Sequence, residues 1–109
     1  MAKFRYVIQA DRVPPGRAVS IELEGHWYTI SNDEGTFYAT DEACPHEGGH
    51  LGGGEVRDGC LICPVHCWPW NLKTGLTDPK MPWLRLKRYT CEVREGQVFM
   101  DCTTPNALQ

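Results

Sequence analysis

The sequence predicts an all-β domain, and three observations support this prediction. Apolar and polar residues alternate in short blocks near both ends of the chain, most clearly over residues 18–24. Turn-forming residues, several of them acidic-glycine pairs, separate these blocks. Glycine and proline interrupt every stretch that would be long enough for a helix.

The expected strands follow one another from the amino to the carboxyl end. The outer blocks predict strands at Lys3–Ile8, 18–24, His26–Ser31, Thr36–Ala39, 84–94 and Gln97–Asp101. Two short strands, Glu55–Arg57 and Cys60–Ile62, flank Asp58-Gly59 and predict a hairpin. We expect residues 103–109 to form a frayed tail.

The chain has 109 residues, which fits a single domain. We expect residues 1–40 and 84–102 to build a β base, with the loop-rich segment 41–83 inserted as a subdomain. Because loops held on a rigid sheet often carry binding residues, we expect the functional site in this segment.

Composition and charge narrow the class of protein. The formal net charge of −3 gives no sign of nucleic-acid binding. The amino-terminal residues lack the pattern of a signal peptide, and no apolar run approaches the roughly 18 residues of a membrane span. We therefore expect a soluble, cytoplasmic protein. In that setting six cysteines favour metal binding over disulfides.

Two Cys/His pairs in the inserted segment are the candidate metal ligands. Cys44 and His46 flank Pro45, and Cys63 and His66 follow 16 residues further on. Each pair offers one thiolate and one imidazole, which suits a [2Fe–2S] cluster whose two irons carry different ligands. The prolines next to the cysteines would stiffen the loops. Gly48 and residues 52–54 would let the backbone approach the cluster.

Two other interpretations of these residues exist. Single cysteines and histidines are often ordinary buried or surface residues, but two compact pairs are hard to explain in that way. A Cys₂His₂ set also suits a structural zinc ion. Zinc motifs usually pair Cys with Cys and His with His, so the mixed pairs favour the cluster.

The segments CPHEGGHLGGGEV (44–56) and CPVHCWPWNLKTG (63–75) resemble the two cluster loops of the Rieske family. The resemblance extends to the turn after the second loop, through Trp70, Asn71, Leu72, Thr74 and Gly75. It implies an antiparallel β-sandwich or partly open barrel with a cluster-binding subdomain. It also implies one [2Fe–2S] cluster per chain, bound by Cys44, His46, Cys63 and His66.

Rieske ferredoxins of aromatic-ring dioxygenase systems have a similar length. The resemblance therefore implies an electron carrier that receives electrons from a reductase, passes them to a terminal oxygenase and has no catalytic residues of its own. The small subunit of an assimilatory nitrite reductase is the alternative. Pro45, Trp68, Pro69 and the Pro82-Trp83 pair are candidates for the docking surface.

The remaining cysteines and histidines receive structural interpretations. We expect Cys60, Cys91 and Cys102 to be core or strand residues, and His26 and His50 to be solvated or structural. Cys67 stands where the family usually has a small or polar residue. We expect its side chain to pack against the loop.

Departures from the high-potential members of the family predict a low reduction potential. Their disulfide cannot form here, because Gly48 and Val65 occupy the cysteine positions. Trp68 and Trp70 replace a serine and a tyrosine whose hydroxyls bond to sulfur in those proteins. Such bonds stabilise the reduced cluster, so their loss lowers the reduction potential. We therefore expect a potential around −150 mV. A voltammetric midpoint above zero would contradict this expectation.

Overall fold

The structure is a computed structural model. It describes residues 4–45, 49–65 and 67–106. For residues 102–106 it describes the backbone alone. In these parts it contains one short 3₁₀ helix, Ala10–Arg12, and nine strands. The strands are β1 (Arg5–Gln9), β2 (Ala18–Leu23), β3 (His26–Asp33), β4 (Thr36–Asp41), β5 (Glu55–Arg57), β6 (Cys60–Ile62), β7 (Pro69–Asn71), β8 (Arg88–Arg94) and β9 (Gln97–Asn106). The all-β prediction is confirmed.

Within the described ranges, four two-residue turns set the register of most of the sheet. In each turn an acidic residue and a glycine both have positive φ, which is the type I′ geometry that matches the twist of a β-hairpin. The four pairs are Glu24-Gly25, Glu34-Gly35, Asp58-Gly59 and Glu95-Gly96. Local sequence therefore determines which strands pair as hairpins.

The larger sheet has six antiparallel strands in the order β1-β9-β8-β4-β3-β2. Its two edge strands, β1 and β2, approach each other, so the sheet is nearly closed into a barrel. The inner face encloses a core that includes Val13, Ile30, Val98 and Met100, all fully buried.

The smaller sheet consists of β5, β6 and β7 and lies between β4 and β8 in the sequence. It packs over a second buried cluster, made of Ala18, Cys44, Leu51, Val56, Leu61, Cys63, Trp70, Leu72 and Leu86. Two backbone bonds attach this region to the base. Val56 N–H donates to the Gly16 carbonyl at 3.0 Å, and Gly53 N–H donates to the Ala18 carbonyl at 2.8 Å.

The Glu55–Arg57 and Cys60–Ile62 hairpin is confirmed, but several predicted boundaries need correction. The strand expected over 84–94 begins at Arg88, because Leu86 N–H bonds to the Gly75 carbonyl outside the sheet. Strand β7 was not among the predicted strands. Its first residue is a proline, which usually argues against a strand. Residues 103–106, expected in a tail, continue β9 and pair with β8. Residues 107–109 lie outside the described part.

No helix in the described ranges has the length and apolar character needed to cross a membrane.

Gly75 closes the turn that follows β7. Its φ is +81°, and a Cβ at this position would lie 2.6 Å from the Leu86 carbonyl oxygen. Its own carbonyl accepts the Leu86 N–H at 2.8 Å. Glycine is therefore needed both for the backbone conformation and for the close approach of two chain segments.

We expect Gly75→Ala to lower the free energy of unfolding by about 3 kcal/mol, the combined cost of left-handed backbone strain and overpacking. Gly96→Ala is the matched control, because Gly96 has a φ of +77° but a Cβ there would meet no described atom within 4 Å. The control should show the strain alone, about 1 kcal/mol. Equal losses in melting temperature for the two variants would contradict the steric part of the argument.

Candidate metal centre

The two candidate cysteine ligands lie in one buried cluster. Cys44 follows β4, and Cys63 directly follows β6. Each is only 2% exposed, and both pack with Leu51 and Trp70. The fold thus brings together thiols that are distant in sequence.

The loops that carry these cysteines are in direct contact. A Cβ on Gly49 would lie 2.6 Å from Val65 Cγ2 and 3.8 Å from Cys63 Sγ. The Gly49 carbonyl also accepts the Cys44 N–H at 2.8 Å. Glycine at position 49 therefore allows the first loop to pack against the second loop beside its cysteine sulfur.

Hydrogen bonds hold the second loop in a tight turn. Cys63 N–H donates to the Trp68 carbonyl at 2.9 Å, and Cys67 N–H donates to the Cys63 carbonyl at 2.8 Å. Cys67 has a φ of +57°, which explains why glycine suits this position. The expectation that its side chain packs against the loop is wrong, because Cys67 is exposed. The left-handed backbone conformation directs the side chain away from the loop.

A buried glutamate, which no sequence motif indicates, anchors the first loop. Glu42 Oε1 accepts hydrogen bonds from Thr29 Oγ1 at 2.5 Å and Gly52 N–H at 3.0 Å. Its Oε2 accepts from Ser20 Oγ at 2.7 Å and lies 3.2 Å from His50 Nδ1. This carboxylate therefore links strands β2 and β3 to the loop that begins with Cys44.

The backbone of Glu42 strengthens this link. Its carbonyl accepts the Leu51 N–H at 2.9 Å, and Ala43 forms an isolated antiparallel bridge with His50. Residues 42–44 and 49–52 are thus paired like a short hairpin. No periodicity identifies Glu42, but the paired hydroxyl residues Ser20 and Thr29, on the face of β2 and β3 opposite the barrel core, are a usable signal for a buried acceptor.

The close contacts of the glycines at 52–54 are with protein atoms. A Cβ on Gly52 would lie 1.7 Å from Ser20 Oγ, and one on Gly54 would lie 2.6 Å from the Ile62 carbonyl oxygen. The described contacts of Gly52 and Gly54 explain why glycine is needed there for loop packing, and the expected approach to a cluster stays a prediction. Gly48 lies outside the described residues.

Both candidate histidine ligands, His46 and His66, also lie outside the described residues. Among residues 4–45, 49–65 and 67–106, no group of three or more His, Cys, Asp and Glu side chains is arranged to hold a metal ion. The four-ligand set consequently remains a prediction. His26 and His50 are exposed and lie near carboxylates of Asp41 and Glu42, at 3.5 and 3.2 Å.

Two other cysteines have properties of inert thiols. Burial, together with Asp58 and Asp33, raises the pKa of Cys60. Burial and the nearby Glu92 raise the pKa of Cys91 to about 12. Both thiols stay protonated at neutral pH, which agrees with the strand roles expected for them. The side chain of Cys102 is not described.

Residues 3–90 match the family described as the Rieske [2Fe-2S] domain. The chain belongs to this family. A Rieske domain binds one [2Fe–2S] cluster, and the described residues fit such a group. Two buried thiols belong to one cluster of side chains, and Gly49 allows their loops to pack closely together. The buried Nε1 of Trp70 in the same cluster of side chains also has no hydrogen-bond partner among the described residues.

Proteins similar to this chain include short ones that it nearly covers and long ones that it covers only in part. The chain is 29% identical to the biphenyl dioxygenase ferredoxin subunit of Pseudomonas sp. (strain KKS102), covering 90% of this chain and 91% of that protein. It is 30% identical to the 3-phenylpropionate/cinnamic acid dioxygenase ferredoxin subunit of Shigella flexneri, covering 88% and 91%. Against cholesterol 7-desaturase of Caenorhabditis elegans, at 33% identity, it covers 63% of this chain but only 17% of that protein.

Solved structures show the same fold. The Rieske domain matches a chain from a complex of reduced oxygenase and oxidized ferredoxin in carbazole 1,9a-dioxygenase, with a TM-score of 0.77 and 25% identity over 90% of this chain and 92% of that chain. It also matches a putative NADH-dependent nitrite reductase small subunit from Mycobacterium tuberculosis, with a TM-score of 0.80 and 22% identity over 95% and 98%. The second likeness shows the fold alone.

We expect Glu42→Ala to lower the free energy of unfolding by about 3 kcal/mol, because the buried hydroxyl of Thr29 and the partly buried N–H of Gly52 lose their acceptor. Iron content of the purified protein should fall as well, since the first loop loses its anchor. Thermal unfolding followed by circular dichroism and an iron assay measure the two effects.

Two variants control this experiment. Glu42→Gln keeps the side-chain shape and one acceptor oxygen, so its loss should be smaller than that of Glu42→Ala. Glu22→Ala removes an exposed glutamate from β2 and should change stability by less than about 0.5 kcal/mol. If Glu42→Ala were as mild as Glu22→Ala, the anchoring role of Glu42 would be excluded.

Proposed function

We propose that this Rieske domain is a one-electron carrier that takes electrons from a reductase and delivers them to a terminal oxygenase. The observation that carries the proposal is similarity over nearly the whole length to ferredoxin subunits of dioxygenases. The chain covers 91% of both the biphenyl and the phenylpropionate ferredoxin subunits. The longer relatives match over only a small part of their length.

In this proposal Cys44, His46, Cys63 and His66 hold the cluster. The burial of both cysteines and the contact between Gly49 and Val65 support it, because ligands from two loops can reach one centre only if the loops meet. When bound, the cluster supplies reversible one-electron transfer. The protein residues exclude water from the cysteine side and hold the loops in place.

A catalytic role finds little support in the described side chains. The best candidate for a catalytic site is a shallow cavity of about 280 Å³ lined by His26, Trp27, Asp41, Glu42, Ala43 and His50. Two histidines and a carboxylate could in principle bind a mononuclear iron. However, each imidazole lies near its own carboxylate, and no metal-binding group is formed among the described residues. The relatives that the chain covers over nearly their whole length are ferredoxin subunits, so we infer an electron-transfer component that acts on a partner protein.

Exposed apolar residues are the candidates for the docking surface of this proposal. Trp83 is 73% exposed and Val65 is 52% exposed, which is unusual for large apolar residues. Trp68 and Pro69, just after the second loop, line a groove of about 290 Å³ with Thr77, Asp78, Pro79 and Met81. Such a patch fits the small interface of a transient redox complex.

The alternative is a Rieske-type small subunit of a nitrite reductase or another oxidoreductase complex. The high TM-score of the Mycobacterium tuberculosis protein favours this alternative only at the level of fold, because its identity is 22%. The two functions differ in how firmly the protein binds its partner proteins. A free carrier purifies alone and binds its partners transiently, whereas a fixed subunit copurifies with a large subunit.

The proposal is tested with the full chain purified under anaerobic conditions. It should contain iron and acid-labile sulfide and, once reduced, should give an EPR signal whose average g is below the free-electron value. Mixed with a dioxygenase and its reductase, it should restore substrate turnover. Protein without iron and sulfide, or loaded protein that no oxygenase can oxidise, would rule the proposal out.

We expect Trp83→Ala to slow electron delivery to the oxygenase roughly tenfold, which corresponds to about 1.4 kcal/mol of lost association energy. The melting temperature and midpoint potential should not change, because Trp83 is mostly exposed. Stopped-flow reoxidation of the reduced protein measures the rate. Trp68→Ala is a poorer test, since Trp68 also packs against the buried cluster.

Val93→Ala is the matched control for Trp83→Ala. Val93 is an exposed apolar residue close to the β8–β9 turn, away from the second loop in sequence. Its substitution should leave the rate unchanged. Unaltered delivery by Trp83→Ala would remove Trp83 from the docking surface.

A further inference from the structure

The indole nitrogen of Trp70 is buried and has no hydrogen-bond partner in the described part of the chain. The Trp70 side chain is fully buried, and among the described residues Nε1 finds neither a backbone nor a side-chain acceptor within reach. Leaving such a donor unsatisfied costs roughly 1–3 kcal/mol, so an unpaired indole N–H in a core requires an explanation.

Strand pairing places Trp70 on the same face as Cys63. Trp70 lies opposite Leu61, and the bond from Cys63 N–H to the Trp68 carbonyl extends the same pairing by one step. Because alternate residues of a strand share a face, Leu61, Cys63, Trp68 and Trp70 point to one side of the small sheet. Cys63 is the diagonal neighbour of Trp70, a separation that a large aromatic side chain can span.

The buried apolar cluster around Trp70 includes two thiols. The buried residues that form its cluster are Ala18, Cys44, Leu51, Val56, Leu61, Cys63, Leu72 and Leu86. Six of these eight have hydrocarbon side chains, and the other two carry sulfur. Since Nε1 has no partner among the described residues, the sulfur of these two buried cysteines is the nearest kind of acceptor that the cluster offers to the indole N–H.

We propose that Trp70 Nε1–H donates a hydrogen bond to sulfur of the loaded centre, either the Cys63 thiolate or a cluster sulfide. The proposal rests on the cluster assignment of the proposed function. The reduced cluster carries one more negative charge than the oxidised cluster, so a donor stabilises it more. Trp70 is thus a tuning residue that raises the midpoint potential.

In this role, Trp70 replaces the hydroxyl donor that the sequence comparison predicts to be lost. The sequence predicts that loss of the family's tyrosine hydroxyl at position 70 removes one donor to sulfur. Trp70 supplies a nitrogen donor at that position. The protein should therefore have a midpoint above that of a variant in which position 70 carries no donor.

Trp70→Phe in the cluster-loaded full chain tests the proposal. We expect a more negative midpoint potential, with about a tenfold shift in the ratio of reduced to oxidised protein at fixed potential, or ~59 mV for one electron. Trp70→Tyr, which restores a donor, should recover part of the shift. Trp83→Phe changes an exposed indole and should leave the midpoint unchanged.

A spectroscopic measurement avoids disturbing Trp70. In a Trp27→Phe, Trp68→Phe, Trp83→Phe variant, Trp70 is the only tryptophan and can be labelled with ¹⁵N in the indole ring. Pulsed EPR of the reduced protein should show hyperfine coupling between this nitrogen and the cluster spin. Absence of the coupling would overturn the hydrogen bond.

The outcomes separate this inference from the proposed function. A Trp70→Phe protein that carries the cluster, transfers electrons and keeps the parental midpoint refutes the tuning role alone. Parental protein without iron and sulfide refutes the electron-carrier proposal. If Trp70→Phe does not fold, the nitrogen coupling in the single-tryptophan variant decides.

Discussion

The carboxylate of Glu42 connects the β base to the loop that carries Cys44, the first proposed cysteine ligand. Thr29 and Ser20 donate to it from two strands of the base, and Gly52 donates from the loop. Its position two residues before Cys44 means that the loop leaves the sheet from a fixed point. The meeting of the two loops at Gly49 and Val65 depends on that anchor, because a loop free to move at its base could not maintain such close packing.

Much of the fold could be predicted because its signals are local. Each acidic-glycine pair adopts the two positive φ values of a type I′ turn, so the sequence alone identifies hairpins such as the one at Asp58-Gly59. The sequence points to the candidate cysteine ligands for a different reason. A cluster with thiolate and imidazole ligands requires closely spaced Cys/His pairs, which are easy to find in a sequence. The family match over residues 3–90 agrees with these pairs.

Other features depend on tertiary contacts that no local pattern reports. Leu86 alternates with its neighbours like a strand residue, yet its N–H bonds to Gly75 across a loop. Cys67 is exposed where packing is expected, because its left-handed backbone turns the side chain to solvent. The role of Gly52 depends on its contact with Ser20, which is distant in sequence. The donor of Trp70, unpaired among the described residues, is visible only once its neighbours are known.

The connection between β4 and β8 has a consequence for how the chain folds. These strands are neighbours in the large sheet, but the whole segment 42–87 separates them, and they pair only at Ala39–Tyr89 and Thr40–Arg88. Closing so long a loop costs chain entropy before any contact compensates for it. Hairpins on either side can form early, while completion of the barrel waits for the intervening segment to become compact. Until then the inner edges of β4 and β8 are open to pairing with other chains.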